Sequence, residues 1–333
     1  MAILRRLKLH AVAATILALA GSASAQPLQE VSIALGSVGF GTAAVPLAQQ
    51  LGLFEKHGLK AKTVVMDSGS AATTAMLSRS VDTALSGGAE LIAALGHGQK
   101  AGIIANLYGG SAGTLVLSKA VVGKLGISST APAEQRIKAL DGLIIATPSA
   151  TSSYTVSLRG AAAKLGVTIR LTYMAPQAMA SAFDAGAIQG YIAGAPTWAP
   201  PLLKGTGVAW ISGPKGDFPP EFTPASNGNL QALTDYAAAH PDIVRRLDDV
   251  FADLVRAIEE HPAKVKAALG RAYPHLDAQT LDILFASESA AWNAKILTPA
   301  DVQHDIDFVK STGADLPQIG SVDPAAVLLQ AKR

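Results

Sequence analysis

No cysteine occurs anywhere in the 333 residues. That absence excludes disulfides, thiolate nucleophiles, cysteine-based metal sites and a cysteine-linked lipid anchor. Aromatic residues are scarce at 5% and charged residues at 16%, and a formal charge of +2 leaves no basic surplus for a nucleic-acid backbone. The sequence also lacks a P-loop, a basic patch studded with aromatics, and any later apolar run long enough to span a bilayer. What it has in quantity is small and apolar: hydrophobic residues make 49%, and glycine occurs 31 times. The length suits two domains at about 100 to 200 residues each.

Arg5, Arg6 and Lys8 precede an apolar run from Ala11 to Ala20, and Ala23-Ser24-Ala25 supplies small-x-small. This order predicts a secretory signal peptide over residues 1–25, cut before Gln26. Its removal takes away three cations and no acids, leaving 24 basic against 25 acidic side chains. The exported chain is therefore nearly neutral. It is expected outside the cytoplasm and not as a lipoprotein.

Beyond the leader the pattern alternates. Val31 to Leu35 reads as a strand and Gly36 to Gly41 as a Gly-rich turn. Ala44, Leu47, Ala48 and Leu51 recur at helical spacing, with Pro46 tolerable in the first turn. A strand at Lys62–Met66, a Ser/Gly turn and a helix carrying Ala72, Ala75, Met76 and Leu77 follow. Strand, turn and helix in succession predict βαβ units and a mainly parallel sheet. The pattern then returns: strand Leu143–Thr147, Ser-rich turn Pro148–Ser153, helix Thr155–Leu165 and strand Ile169–Met174. The offset is 112 residues at the first strands and 107 at the second, and Val81-Asp82 and Ile188-Gln189 take equivalent places. Two like-built lobes are expected.

The strand-like run Thr114–Ser118 with the polar connection Lys119–Pro132, and the Pro/Gly-rich passage Pro214–Pro224, are the expected crossings. They give a first lobe over 26–117, a second over 118–215 and a return to the first over 216–333. Beyond Leu230 the pattern reads as wholly helical. Ile243, Leu247, Val250, Phe251, Leu254 and Ile258 form an apolar face, with Arg245, Arg246, Asp249 and Asp253 opposite, between Pro241 and Pro262. This tail is expected to pack on the first lobe.

The stretch from Leu47 to Leu59, LAQQLGLFEKHGL, resembles a hallmark of the nitrate/sulfonate/taurine and thiamine-pyrimidine family of periplasmic substrate-binding proteins of ABC transporters. Leu77 to Ala84 is similar to the next hallmark, with Ser80 where Gly is commoner. Ala185 to Pro196 resembles its second-lobe version, with Gln189 for the usual Asp, and His240-Pro241 resembles the family's tail motif. The resemblance implies an α/β, two-lobed periplasmic-binding-protein fold of type II. Each lobe would be a mixed, mainly parallel sheet flanked by helices, with a helical C-terminal tail. It implies a solute carrier for an ABC permease and its ATPase, a monomer, no enzyme and no cofactor.

In an open parallel sheet, ligands collect at the carboxyl ends of strands, where loops feed helix N-termini. Six turns qualify: Ser37–Gly41, Ser68–Ala72, Gly87–Glu90, Tyr108–Ser111, Ser149–Tyr154 and Gly194–Trp198. From these the expected ligand-binding residues are Ser37, Gly39, Phe40, Ser68, Gly69, Ser70, Ala71, Gly88, Ala89, Glu90, Tyr108, Ser149, Thr151, Ser152, Ser153, Gly194, Pro196 and Trp198. Glycine admits close backbone approach, Ser and Thr supply short polar groups, and Phe40, Tyr108, Tyr154 and Trp198 offer apolar walls. No Lys or Arg occurs in these turns, while Glu90 does. An exposed helix N-terminus stabilises one negative charge by only about 0.3 to 1 kcal/mol. A neutral, zwitterionic or amine-bearing solute is therefore expected over a dianion, with Glu90 as partner for a cation or ring N–H.

A rival reading is an NAD(P)-dependent oxidoreductase, because Gly39-Phe40-Gly41-Thr42-Ala43-Ala44 fits G-x-G-x-x-A after a strand and Asp67 ends the next. The 28 residues from Gly39 to Asp67 exceed the usual spacing of about 20. Gly109-Gly110-Ser111-Ala112-Gly113 fits G-x-S-x-G, yet a strand rather than a helix is expected after it. None of the seven histidines pairs with another at metal-ligand spacing.

Overall fold

The computed structural model describes residues 27–329 apart from 38, 151, 294 and 313. The expected signal peptide lies outside the described residues. Two five-stranded sheets carry the fold. The first comprises β1 (Gln29–Leu35), β2 (Leu59–Val65), β3 (Thr83–Ser86), β4 (Ala101–Tyr108) and β10 (Gly228–Leu233), in the order β2-β1-β3-β10-β4. The second comprises β5 (Thr114–Ser118), β6 (Ile144–Thr147), β7 (Arg170–Tyr173), β8 (Gly190–Ala193) and β9 (Gly207–Ser212), in the order β7-β6-β8-β5-β9.

In each sheet three strands run parallel, and one antiparallel strand, β10 or β5, separates them from the last. The alternation in β1 explains its seat: Val31, Ile33 and Leu35 are buried. All of β4 is buried: Ala101 to Ala105 are apolar or glycine, and the polar Asn106 is paired with Ser226 and Asn293.

Around the first sheet lie α1 (Ala44–Gln50), α2 (Leu53–Lys56), α3 (Gly69–Leu77) and α4 (Gly88–Gly96). Around the second lie α5 (Lys119–Leu125), α6 (Ala133–Lys138), α7 (Ser153–Lys164), α8 (Pro176–Asp184) and α9 (Ala199–Leu203). The tail supplies α10 (Thr234–Ala239), α11 (Pro241–Glu260), α12 (Pro262–Ala272), α13 (Ala278–Glu288) and α14 (Pro299–Lys310). Within it, α11 and α12 pack on α1, and α14 packs on α4. The tail thus backs the first sheet. Phe54 and Phe251 meet edge to face there, with centroids 6.0 Å apart, and each buried ring of this size contributes about 1.5 to 3 kcal/mol.

Three expectations change. Beyond Leu230 the chain is not wholly helical, because β10 first inserts between β3 and β4; its polar Asn229 and Gln231 hide the strand pattern, and both are fully buried. The expected boundary at residue 117 falls inside β5, which pairs in the second sheet, so the first passage between sheets is Gly109–Gly113; Lys119 opens α5 directly. Asp253 leaves the outer face of α11. It is buried, with its carboxylate taken by Lys56 Nζ at 2.5 Å, His57 Nε2 at 2.9 Å and Arg256 at 3.1 Å.

Candidate cleft between the two units

A cavity of about 330 Å³ opens where loops of the two sheets face each other. The first unit lines it with Gly36, Ser37, Gly41, Thr42, Gly69, Ser86, Gly87, Ala89 and Glu90, and the return segment adds Asn227 and Gly228. The second unit reaches it through Ser152, Ser153 and Tyr154 at the start of α7. Among the described lining residues there is no Lys, Arg or His.

Glycines set the floor. A Cβ at Gly36 would stand 2.7 Å from the Gly69 Cα, so the loop after β1 and the start of α3 touch backbone to backbone. A Cβ at Gly69 would stand 2.9 Å from a Glu90 carboxylate oxygen, and one at Gly87 would collide with the other oxygen. The Glu90 carboxylate therefore lies over the starts of α3 and α4. Burial pushes its pKa up, and a hydrogen bond from its own backbone N–H offsets part of that rise. It forms no ion pair with any described cation.

The hydroxyls are fixed by neighbours. Thr42 Oγ1 donates to Ser37 O at 2.9 Å, Ser86 Oγ lies 2.8 Å from Thr73 Oγ1, and Ser152 Oγ lies 2.5 Å from Thr155 Oγ1. Across the cleft, Ser153 Oγ donates to Asn227 Oδ1 at 3.1 Å. Tyr154 adds a phenol whose pKa burial pushes up to about 12. No His stands among the described lining residues to act as base for these hydroxyls.

Of the expected ligand-binding residues, Ser37, Gly69, Ala89, Glu90, Ser152 and Ser153 meet in this cavity. Thr151 lies outside the described residues. Ser68 caps α3 by accepting from Ala71 N–H at 3.1 Å, and Ser149 accepts from Ser152 N–H at 3.1 Å; both serve turns. Ser70 and Ala71 continue α3, Gly88 is buried under the Ser226 carbonyl, and Gly194 and Pro196 flank the Ala195 carbonyl, which accepts from Phe40 N–H at 3.4 Å. Gly39 O accepts from the Tyr273 hydroxyl.

Tyr154 stays at the cavity, but the other three expected aromatic walls move into the core. Phe40 packs on Tyr273 and Trp292, and Tyr108 and Trp198 are buried beside Glu288. Large aromatics gain more from full burial than from a wet rim. Thr42, Ser86 and the Asn227-Gly228 pair join the site unforeseen. Ser226-Asn227-Gly228 is a turn signal that could have marked the last pair.

The dinucleotide-binding turn is otherwise engaged. The amides of Gly39, Phe40, Thr42 and Ala43 donate to Ser37 Oγ, Ala195 O, Gly39 O and Phe40 O, so they are not offered to a pyrophosphate. Ser111 is buried and followed by β5, which gives no nucleophile elbow.

A model of the NMT1-like family matches residues 26–269. The chain belongs to the NMT1-like family. Among solved structures, the periplasmic aliphatic sulphonate binding protein SsuA of Escherichia coli is 17% identical with a TM-score of 0.68, covering 87% of this chain and 96% of that one. The alkanesulfonate-binding protein SsuA of Xanthomonas axonopodis pv. citri, bound to MOPS, is 19% identical with a TM-score of 0.64, covering 91% and 98%. These likenesses show the periplasmic-binding-protein fold. No curated protein sequence matches the chain significantly.

Proposed function

We propose that this member of the NMT1-like family is the periplasmic solute-binding component of an ABC importer, working as a monomer that carries a small organic solute to a permease and its ATPase. The observation that carries this reading is the cavity between the two units, to whose lining both contribute. A solute touching Glu90 and Ser37 from one side and Ser152 from the other favours the closed arrangement through contacts to both. The segments Gly109–Gly113 and 213–227 serve as the hinges. Micromolar affinity needs about −8 kcal/mol, within reach of a few hydrogen bonds and one charge pair.

The relatives of known structure are named for sulfonates. This cavity supports a different cargo: its described lining has a carboxylate and no cation, so the solute is neutral, zwitterionic or amine-bearing, with its N–H groups directed at Glu90. Native mass spectrometry of the purified protein identifies a co-purified solute and shows whether it leaves unaltered. Titrating the released compound into Glu90→Gln then checks the contact, with affinity expected to fall by about tenfold or more. A chemically changed product would end the carrier reading. Unchanged affinity in the variant would remove the role given to Glu90.

A further inference from the structure

Tyr108 ends β4 at the point where both passages between the sheets meet. Its carbonyl accepts Asn227 N–H of the second passage at 2.9 Å, and the next residue, Gly109, donates to Ala291 O at 2.9 Å just beyond α13. Its hydroxyl donates to the carboxylate of Glu288, the last residue of α13. Glu288 is 1% exposed. Trp198, which leads from β8 of the second unit into α9, is 2% exposed and faces the same carboxylate. Yet neither the Trp198 Nε1 nor the Glu288 Oε1 completes a hydrogen bond. A buried donor and a buried acceptor, carried by different units and near enough for the indole to favour the ionised acid, are left without a full hydrogen bond. A buried polar group left open is costly, so this pair favours any setting of the two units that closes it.

The requirement differs between the two states of the acid. An ionised carboxylate in an apolar setting needs both donors, whereas the neutral acid needs fewer. Nothing else charged answers it. On α13 Asp277 caps Thr280 and Asp282 pairs with Lys266 of α12. Elsewhere on α12, Lys264 is exposed and Arg271 holds Gln50. The helix α9 and strand β4 carry no charged residue. Tyr108 is the titratable group in contact with Glu288 among the described residues.

We propose that Glu288 is a positioning residue that clamps the second unit to the first: its carboxylate, held by the Tyr108 hydroxyl, takes the Trp198 indole N–H when ionised and releases it when protonated, so the setting of the two units follows proton binding. The clamp sits outside the cavity and works with or without solute. Burial pushes the Glu288 pKa up to about 7, against the pull of Tyr108, Trp198 and Ser287, which places the change in a reachable range.

The test follows solution X-ray scattering and tryptophan emission of solute-free protein from about pH 5 to about pH 8. Wild type is expected to change radius of gyration and emission together in one transition, and Glu288→Gln to show neither. A flat wild-type profile, or a transition retained in Glu288→Gln, overturns the proposal. Should Glu288→Gln fail to fold, Tyr108→Phe carries the test. Losing the hydroxyl donor must move the transition to higher pH by roughly half a unit or more, and an unmoved transition is equally fatal.

Discussion

In the first sheet the Asp82 carboxylate takes the backbone N–H of Ser32 at 2.8 Å, and in the second the Gln189 amide oxygen takes that of Ile144 at 2.7 Å. Ser32 and Ile144 are 112 residues apart, Asp82 and Gln189 107, the two offsets that relate the repeated strands in the sequence. The same tie is made at the same place by different chemistry. Asp82 also accepts the Ser32 hydroxyl at 2.6 Å, while Ile144 offers only its N–H, so a neutral amide suffices. Around the cleft the divergence grows. After β3 the chain enters α4 at once and presents Glu90; after β8 it runs through Gly194–Trp198 and buries Trp198 against the tail helices. The first unit thus supplies the charge and most of the cavity, and the second adds Ser152, Ser153 and Tyr154.

The largest expected effect asks whether the two units are thermodynamically separate. Trp210 is fully buried in β9 of the second unit and donates its indole N–H to Arg136 O at 2.8 Å. Trp210→Ala should cost about 3 to 5 kcal/mol. One apolar cluster contains Leu47 and Phe251 of the first unit and its tail together with Ala146 and Tyr191 of the second. The loss is therefore expected as a shift of a single urea transition monitored by circular dichroism. Two resolved transitions would show that each unit folds on its own.

A mid-sized effect belongs to the tail, which has no counterpart behind the second sheet. Asp305 of α14 accepts the N–H groups of Ala225 at 2.6 Å and Ser226 at 3.1 Å, fastening the second passage. Burial pushes its pKa from the ordinary 3.8 up to about 6, more than those hydrogen bonds lower it. The folded state then holds a proton that the unfolded chain has released. The stabilisation from this group is complete below about pH 4 and is lost as pH rises through about 6. Relative to Asp305→Asn, wild type should lose up to about 3 kcal/mol between these limits. Urea midpoints at both pH values measure it, and a gap that ignores pH would contradict the burial of this carboxylate.

Much of this architecture was legible because the strand–turn–helix rhythm is carried by apolar spacing, which survives without neighbours. β5 was read to the residue from Thr114 to Ser118. What was illegible depends on partners distant in sequence. β10 carries buried Asn229 and Gln231 that bond to each other, to Ser226 and to Gly87 O, so its polar residues look like loop until the network is seen. Asp253 looks like surface until Lys56 and His57 arrive from α2 and its end. The cavity divides the same way. Ser37, Gly69, Glu90 and Ser153 lie where strand-end turns must face a cleft, but no local pattern says that Tyr108 and Trp198 turn inward to Glu288.

The smallest effect sets the two equivalent turns against each other. Ser68 and Ser152 both precede helices that start at the cleft, α3 and α7. The Ser68 hydroxyl accepts a helix N–H, whereas the Ser152 hydroxyl caps none and instead meets Thr155 Oγ1. Thr155 keeps Thr147 as a second partner, so trimming Ser152 loses only a long 3.4 Å hydrogen bond to Ser149 O besides. Ser68→Ala is accordingly expected to lower stability by about 1 kcal/mol and to leave solute affinity unchanged, because Ser68 does not line the cavity. Ser152→Ala should leave stability within about 0.5 kcal/mol and weaken solute binding. Melting curves and titrations of the pair decide it. The reverse pattern would mean that the second unit, not the first, uses its turn as scaffold, and that the cleft is read from the other side.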